Sequence, residues 1–431
     1  MGYIIAAFCF FCAAVNYLAT KKWHAPIVFF MSLWGVISLL AALKLFDLYE
    51  VSIRTWLLFL LGFVAFLLGC YFAKVLRARP VANRGDRVLF SVRYSVFHVA
   101  IVIVVLVYLV YSWDALKLYL QGYGMDEVRL IYYDLQSVNG GASHGALMEI
   151  FRQYIVTPFE LIVTPLCIVE YMQNNRKRYL LCSVLLVLLN VVATGSRFVI
   201  AYYIIQLAIA FVVYKKRIVM SRRMKRFVKL LLALTAAGIV LVTFLRAGTV
   251  ENIVKKYYRY ICGCIPYLDN RLGYIDSLGF FSAGIASFFG FVQPIWFVLQ
   301  NLGIFGYSAR YLQIIDTVLD TQVFVKIGWD TYTNAFVTPI YHLYADLGLI
   351  GIILGMMLFG MIAYGAYNGL ERRFDVKSVT FYLIIARMLF KSIQFYPLTS
   401  VEFALGLVFF GFFFAKQKNS PKGGNGIEEN G

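Results

Sequence analysis

One arginine separates two apolar runs in the stretch VVATGSRFVIAYY, residues 191–203. An arginine near the centre of a membrane helix costs about 2.5–3.5 kcal/mol, so a cation in this place indicates a partner or a function. Gly195 permits a tight turn, and Ser196 is suited to cap a helix that begins at Arg197. Free N–H groups and the guanidinium then face one place, which predicts an anion site suited to phosphate. The alternative is that Arg197 extends outward to lipid headgroups.

A second pair of cations lies within the apolar segment FYLIIARMLFKSIQFYP. Arg387 and Lys391 are four residues apart and therefore share a helical face. No acid on that helix pairs with them, which predicts that they face the interior of a bundle or a water-filled cavity. The alternative for Lys391 is that it reaches the interface. Glu160, in another apolar run, is a candidate to balance one of these buried cations.

Arg246 ends a further apolar run, and Arg310 lies in the long segment that follows it. On the topology derived below, Arg197, Arg246 and the pair Arg387 and Lys391 all fall in the outer half of the membrane. The positive-inside rule would otherwise deplete cations there. We therefore predict that these side chains bind one polyanionic ligand, with flanking of a span as the alternative role for Arg246.

A histidine and a carboxylate lie in the segment NAFVTPIYHLYADLGLIG. His342 and Asp346 share one face of a helix, and the apolar run after them is long enough to span, so both are expected at the external interface. Tyr341 and Tyr344 flank them as an interfacial aromatic belt would. A base beside a cation cluster is what moving a group off a lipid diphosphate requires. The alternative is that Asp346 caps the helix.

The composition decides the class of chain that must position these residues. Hydrophobic residues make up 61% of the 431 residues and charged residues 14%, with a formal net charge of +18. Apolar runs of membrane length recur throughout, which predicts an all-α polytopic membrane bundle of about eleven spans. We place these spans near residues 3–20, 26–46, 55–76, 94–112, 151–172, 180–193, 198–214, 229–245, 347–367, 379–395 and 401–416.

The basic residues cluster in short loops, which orients the bundle with its N-terminus outside and its C-terminus in the cytoplasm. Two long external loops result, at residues 113–150 and 246–346. Residues 277–305, within the second, are apolar but interrupted by glycine and proline, so a re-entrant or interfacial pair is expected there. Residues 1–416 then form one transmembrane domain, and the polar, Gly-rich residues 417–431 form a disordered cytoplasmic tail.

Several other chemistries have no motif in the chain. The cations lie between apolar segments and not in a compact basic domain, which argues against nucleic acid as a partner. The sequence contains no phosphate-binding glycine motif, no His-Glu-x-x-His zinc helix and no Gly-x-Ser-x-Gly elbow. We expect neither a metal nor a cofactor.

The chain resembles the oligosaccharide repeat-unit polymerases, bacterial membrane enzymes that assemble O-antigen, capsule and related polysaccharides. The resemblance spans the chain as architecture and is carried in sequence by three segments: ATGSRFV at 193–199, FLRAG at 244–248 and TNAFVTPIYHLYADLGLIG at 333–351. The family often carries Asp-Phe-Gly before its next span, where this chain has Asp346, Leu347 and Gly348.

The resemblance implies a GT-C-like glycosyltransferase on the outer face of the bacterial plasma membrane, with undecaprenyl-diphosphate-linked oligosaccharides as substrates and a chain-length regulator as a partner. Arg197, Arg246, Arg310, Arg387 and Lys391 would bind the diphosphate. Each guanidinium would stabilise the leaving group by about 2.7–4 kcal/mol, by analogy with oxyanion donors. His342 or Asp346 would orient or deprotonate the acceptor hydroxyl.

Two other functions use the same features. A ligase that moves a finished glycan from the same lipid to another acceptor needs the same cation pocket. A flippase for lipid-linked oligosaccharide would line a path with cations, although transporters often show repeated halves, which this sequence lacks.

Overall fold

The computed structural model describes most of the chain. The described residues are 1–76, 89–125, 127–128, 131, 145–215, 217, 221–247, 250–319, 321, 323–329, 331–334 and 336–417. The tail predicted at 417–431 therefore lies almost wholly outside the described residues, and so does much of the predicted loop at 113–150.

The described part of the chain is about 80% helical. Its helices, in chain order, are α1 (Gly2–Thr20), α2 (Pro26–Leu43), α3 (Ile53–Leu76), α4 (Tyr94–Leu120), α5 (Leu147–Asn174), α6 (Lys177–Thr194), α7 (Arg197–Lys215), α8 (Arg222–Ala247), α9 (Val250–Cys262), α10 (Cys264–Ser277), α11 (Phe289–Asn301), α12 (Ala309–Ile314), α13 (Thr338–Arg373), α14 (Val376–Lys391) and α15 (Val401–Phe410). Four short strands, β1 (Phe90–Val92), β2 (Val325–Gly328), β3 (Thr331–Thr333) and β4 (Phe414–Lys416), form two antiparallel pairs, β1 with β4 and β2 with β3.

Eight of the described helices are long and apolar enough to cross a membrane: α1 to α7 and α13. Each predicted span coincides with a helix, but α14 and α15 have only 16 and 10 residues. A perpendicular crossing takes about 20. The chain is thus a multi-helix membrane protein by the length and composition of its helices.

Two predicted boundaries are wrong, and the strands were not predicted. Helix α4 continues to Leu120, eight residues beyond the predicted end of this span at residue 112. Helix α13 begins at Thr338, nine residues before the predicted span at 347–367, and changes direction at Leu347 and Gly348, whose backbone angles are not helical. The expectation of an all-α fold missed the two β pairs: β1 and β4 join segments far apart in sequence, whereas β2 and β3 are neighbours along the chain.

The charged loops gather at one end of the bundle. Strand β1 pairs with β4 there, and the Phe90 N–H donates to the Asp375 carboxylate at 3.2 Å. Glu371, near the end of α13, binds both Lys22 and Arg217 at 2.6 Å. These contacts bring together the loops that were predicted to share the cytoplasmic side.

The segment between α8 and α13 packs at the other end. The Tyr49 N–H donates to the Ile327 carbonyl at 2.9 Å, and Asp269 accepts hydrogen bonds from Ser52 and Thr55 at the start of α3. Residues 277–305 contain one helix, α11, of 13 residues, which is too short to cross alone. The expected re-entrant or interfacial pair is therefore a single helix, whose Ile295 is 61% exposed.

Close backbone contacts hold α13 against α3. A Cβ atom on Gly69 would lie 2.0 Å from the Met357 carbonyl oxygen, and one on Gly360 would lie 2.2 Å from the Phe66 oxygen. Glycine is required at both positions because any side chain would separate the backbones, as in other tightly packed membrane helices. This contact fixes the helix that carries His342 and Asp346.

Candidate functional site

The tight turn predicted between α6 and α7 is present. Gly195 adopts a left-handed conformation, with φ of 61°, and its N–H donates to the Val191 carbonyl at 2.8 Å. The Ser196 N–H donates to the Thr194 hydroxyl at 3.2 Å. Helix α7 begins at Arg197, as the sequence predicted. Glycine is needed here because a side chain is strained at positive φ.

The guanidinium of Arg197 lies against aromatic rings of α9. Its carbon is 5.0 Å from the centre of the Tyr260 ring and 5.8 Å from that of Tyr257. The side chain is half-buried. Arginine stacked on tyrosine in this way gains a cation–π attraction. Arg197 therefore contacts the segment between α8 and α13, and the interpretation that it extends only to headgroups does not describe these contacts.

Arg387 and Lys391 share a carboxylate that the sequence analysis missed. Arg387 Nη2 donates to Glu402 Oε1 at 2.5 Å, and Lys391 Nζ donates to Glu402 Oε2 at 2.9 Å. Their side chains are only 8% and 12% exposed. The prediction that they face the bundle interior fits this burial. The acid comes from the first turn of α15 and not from α14 itself, so a search along one helix could not find it.

A second carboxylate lies near this pair. Glu160 on α5 accepts from the Tyr108 hydroxyl at 2.8 Å and from Asn190 Nδ2 at 3.1 Å, and it interacts electrostatically with Arg387 and Lys391. This fits the expectation that Glu160 balances a buried cation. Two cations and two carboxylates thus form one buried cluster, which we name the α14 cluster: Glu160, Arg387, Lys391 and Glu402.

Tyr202 and Phe198 on α7 connect the α14 cluster with Arg197. The Arg387 guanidinium lies 4.9 Å from the centre of the Tyr202 ring. Phe198 lies 6.1 Å from Tyr202 and 6.5 Å from Tyr260, which is the ring beneath Arg197. Arg197 and Tyr202 are five residues apart, about 7.5 Å along the helix axis. Three of the predicted diphosphate-binding cations therefore lie along one aromatic row.

Gln394 joins this row to α13 and was not predicted. Its side-chain oxygen accepts from the Tyr202 hydroxyl at 3.2 Å, and its carbonyl accepts the N–H groups of Val337 and Thr338 at 3.0 and 3.2 Å. Its position three residues after Lys391 on an apolar segment was the available signal, because a polar side chain there needs a partner.

The predicted catalytic pair is buried within the protein. Asp346 is 4% exposed and accepts from the Ser282 hydroxyl at 2.5 Å and from the N–H groups of Ala286 and Ser287 at 3.0 and 2.9 Å. These bonds hold the loop before α11. Glycine at 348 is what allows α13 to turn directly after Asp346, since its φ is 58°.

His342 is 2% exposed, and its Nδ1 forms no well-aligned hydrogen bond among the residues that the structure describes, although the Thr338 backbone lies near the ring. Its ring meets that of Tyr341 edge to face, with centres 5.4 Å apart. A buried imidazole nitrogen without a partner costs stability unless a ligand or water engages it. Of the two predicted catalytic residues, His342 therefore has a ring nitrogen that could accept a proton from a substrate.

The predicted support residues Tyr341 and Tyr344 each bind an arginine. Arg271, 3% exposed on α10, donates to the Tyr341 hydroxyl at 3.1 Å. Arg54 donates to the Tyr344 hydroxyl at 2.7 Å and forms an ion pair with Asp276 at 2.7 Å. The hydrogen bond from Arg54, together with one from Tyr344, lowers the pKa of Asp276. Arg271, a buried arginine beside Tyr341, is a further candidate that the sequence analysis did not single out.

Of the two remaining predicted cations, Arg310 binds elsewhere. Arg310 donates to the Phe281 carbonyl at 2.8 Å and lies over the Phe280 ring at 4.4 Å, so it holds the same loop as Asp346. Arg246 lies in the last turn of α8, and its side chain is outside the described part of the structure. No group of three or more His, Cys, Asp or Glu side chains suited to a metal lies together among the described residues.

Comparison with known proteins gives no family for this arrangement: no family model, curated protein or solved structure matches the chain.

Proposed function

We propose that this chain polymerises undecaprenyl-diphosphate-linked oligosaccharide repeat units on the outer face of the bacterial plasma membrane. One observation carries the proposal: Arg197, Arg387 and Lys391 lie along a single aromatic row, in contact with the segment between α8 and α13. Cations in apolar helices are costly and usually mark a site. A lipid-borne diphosphate is an anion that enters such a place from the membrane.

In the proposed reaction, an acceptor hydroxyl attacks the anomeric carbon of the donor glycan. A carbon–oxygen bond forms, and the bond from that carbon to the diphosphate oxygen breaks, with its electron pair leaving on the diphosphate. The hydroxyl proton passes to a base. His342 is the better candidate, because Asp346 already accepts three hydrogen bonds from the loop before α11.

Arg197 is the cation best placed to receive the leaving diphosphate. It begins α7 directly after the left-handed turn at Gly195, and the N-terminus of a helix favours anions. Arg387 and Lys391 lie further along the row and share Glu402. A diphosphate would have to compete with that carboxylate, so we assign the α14 cluster a positioning role. It holds Tyr202 and, through Tyr202, the helix α7 that begins at Arg197.

Incubation of the purified protein with lipid-linked repeat units alone tests the function. A ladder of longer lipid-linked products is the expected result. Extension only when a different acceptor is added would mean a ligase, and transbilayer movement of labelled lipid-linked sugar without extension would mean a flippase. Either outcome contradicts the proposal.

Arg197→Gln tests the assigned residue, and Arg178→Gln is its matched control. Arg178 also stacks on a tyrosine, 4.9 Å from the centre of the Tyr179 ring, but at the opposite end of α6 from the turn at Gly195. We expect Arg197→Gln to abolish the ladder and Arg178→Gln to preserve it. Equal ladders from both variants would remove Arg197 from the site.

A further inference from the structure

A groove of about 400 Å³ lies between α13 and the start of α14, at the end of the bundle that carries the charged loops. This volume falls within the range of small-ligand sites. Leu358, Met361 and Ile362 on α13 line it, together with Phe381 on α14. Gly365, Ala366 and Gly369 also line it, and their small side chains leave space open.

The groove runs along one face of α13. Its lining positions on that helix follow the spacing of three and four residues that places side chains in a row. From Leu358 to Arg373 the helix rises about 22 Å, at about 1.5 Å for each residue. That length exceeds the thickness of one leaflet of hydrocarbon, about 15 Å. The shape is therefore that of an apolar track and not of a compact pocket.

Two cations close the groove at its end. Arg373 is exposed and Lys377 is half-buried, with its ammonium 4.0 Å from the centre of the Phe90 ring. Neither forms an ion pair with a carboxylate of the described residues. Asp375 also lines the groove, but its oxygens accept the N–H groups of Ser378 and Phe90, at 2.8 and 3.2 Å. The end of the groove therefore carries a net positive charge.

We propose that this groove binds an anionic phospholipid, with the phosphate between Arg373 and Lys377 and one acyl chain along the face from Gly369 to Leu358. The two cations complement the phosphate of such a lipid, and the apolar track that begins beside them complements its acyl chain. Basic pockets between membrane helices commonly bind anionic headgroups in this way. The site is independent of the proposed glycosyl transfer, because α13 separates it from the turn at Arg197 by most of its length.

Native mass spectrometry of the purified protein with added phosphatidylglycerol or phosphatidylcholine tests the site. Wild-type protein should retain phosphatidylglycerol in preference to phosphatidylcholine. A double variant, Arg373→Gln with Lys377→Gln, should lower retention of phosphatidylglycerol about 25-fold, from about a fivefold effect for each cation near an anionic headgroup. Arg372→Gln is the matched control, because it removes a neighbouring charge that does not line the groove.

Gly369→Leu tests the apolar track separately. A Cβ on Gly369 would meet only the Arg373 guanidinium at 3.8 Å and the Ser378 Cβ at 3.9 Å, which are ordinary contacts. The leucine should therefore fill the groove and displace the lipid while the unfolding temperature stays unchanged. Equal retention of both lipids by the wild type would overturn the proposal, and so would full retention of phosphatidylglycerol by the double variant. Equal competition by glycerol phosphate, which has no acyl chain, would show a phosphate site only and would also overturn it.

Discussion

Removal of the Glu402 carboxylate should destabilise the bundle strongly. The Glu402→Gln substitution leaves Arg387 and Lys391, 8% and 12% exposed, without the carboxylate that binds both of them. Removal of one partner from a buried ion pair costs about 3–5 kcal/mol, because an uncompensated charge stays in a region of low dielectric. The remaining carboxylate, Glu160, is already bound to Tyr108 and Asn190. We therefore expect a loss of about 3–5 kcal/mol in the free energy of unfolding.

Equilibrium unfolding in mixed micelles measures this loss, with Glu371→Gln as the control. Glu371 also binds two cations, Lys22 and Arg217, but these side chains are 31% and 29% exposed. Ion pairs of this kind contribute about 0–1 kcal/mol each. The two variants remove the same charge by the same chemical change and differ in burial. A Glu402→Gln loss no larger than that of Glu371→Gln would refute the reasoning.

Three further outcomes are expected. Asp346→Asn should speed hydrogen exchange of the backbone N–H groups of Ala286 and Ser287 at least tenfold, because asparagine has one acceptor oxygen where the carboxylate has two. Unchanged exchange would mean that the carboxylate does not hold the loop. Gly69→Ala should destabilise the protein by about 1–3 kcal/mol in the same unfolding assay, because its Cβ would lie 2.0 Å from the Met357 oxygen. Gly238→Ala is the control and should not destabilise it, because a Cβ there would have no atom within 4 Å. Equal behaviour of the two variants would contradict the close contact. The pKa of Asp276 is lowered, so its ion pair with Arg54 stabilises the protein at pH values above the ordinary aspartate pKa of about 4, and this stabilisation is lost as the pH falls through the lowered pKa. The difference in unfolding temperature between the wild type and Asp276→Asn should therefore disappear in acid. A difference that does not depend on pH would argue against this network.

The course of the helices was predictable because apolar runs of membrane length are local signals. The turn at Gly195 and the start of α7 at Arg197 followed from residue type alone. The length of α4 was not predictable from hydropathy, because its last turns carry Asp114 and Lys117, which form an ion pair at 3.1 Å. Polar residues that ended the apolar run did not end the helix.

The contacts of the candidate site were harder to predict because they join distant parts of the chain. Glu402 lies on the helix after Arg387, and nothing local relates the two before the bundle packs. Asp346 shares a helical face with His342, yet its carboxylate binds a loop some sixty positions earlier in the chain, 282–287. The shared face suggested a catalytic pair, whereas the tertiary contacts show that Asp346 holds a loop and leave His342 as the candidate base.

Diphosphate binding tests the central claim most directly. Purified wild-type protein, Arg197→Gln and Arg178→Gln would be titrated with undecaprenyl diphosphate, and binding followed by calorimetry. Loss of one charge-assisted contact costs about 1.5–3 kcal/mol, so Arg197→Gln should weaken binding about 10- to 150-fold while Arg178→Gln binds as the wild type does. Equal affinity of all three proteins for the lipid would contradict the claim that Arg197 holds a lipid-borne diphosphate.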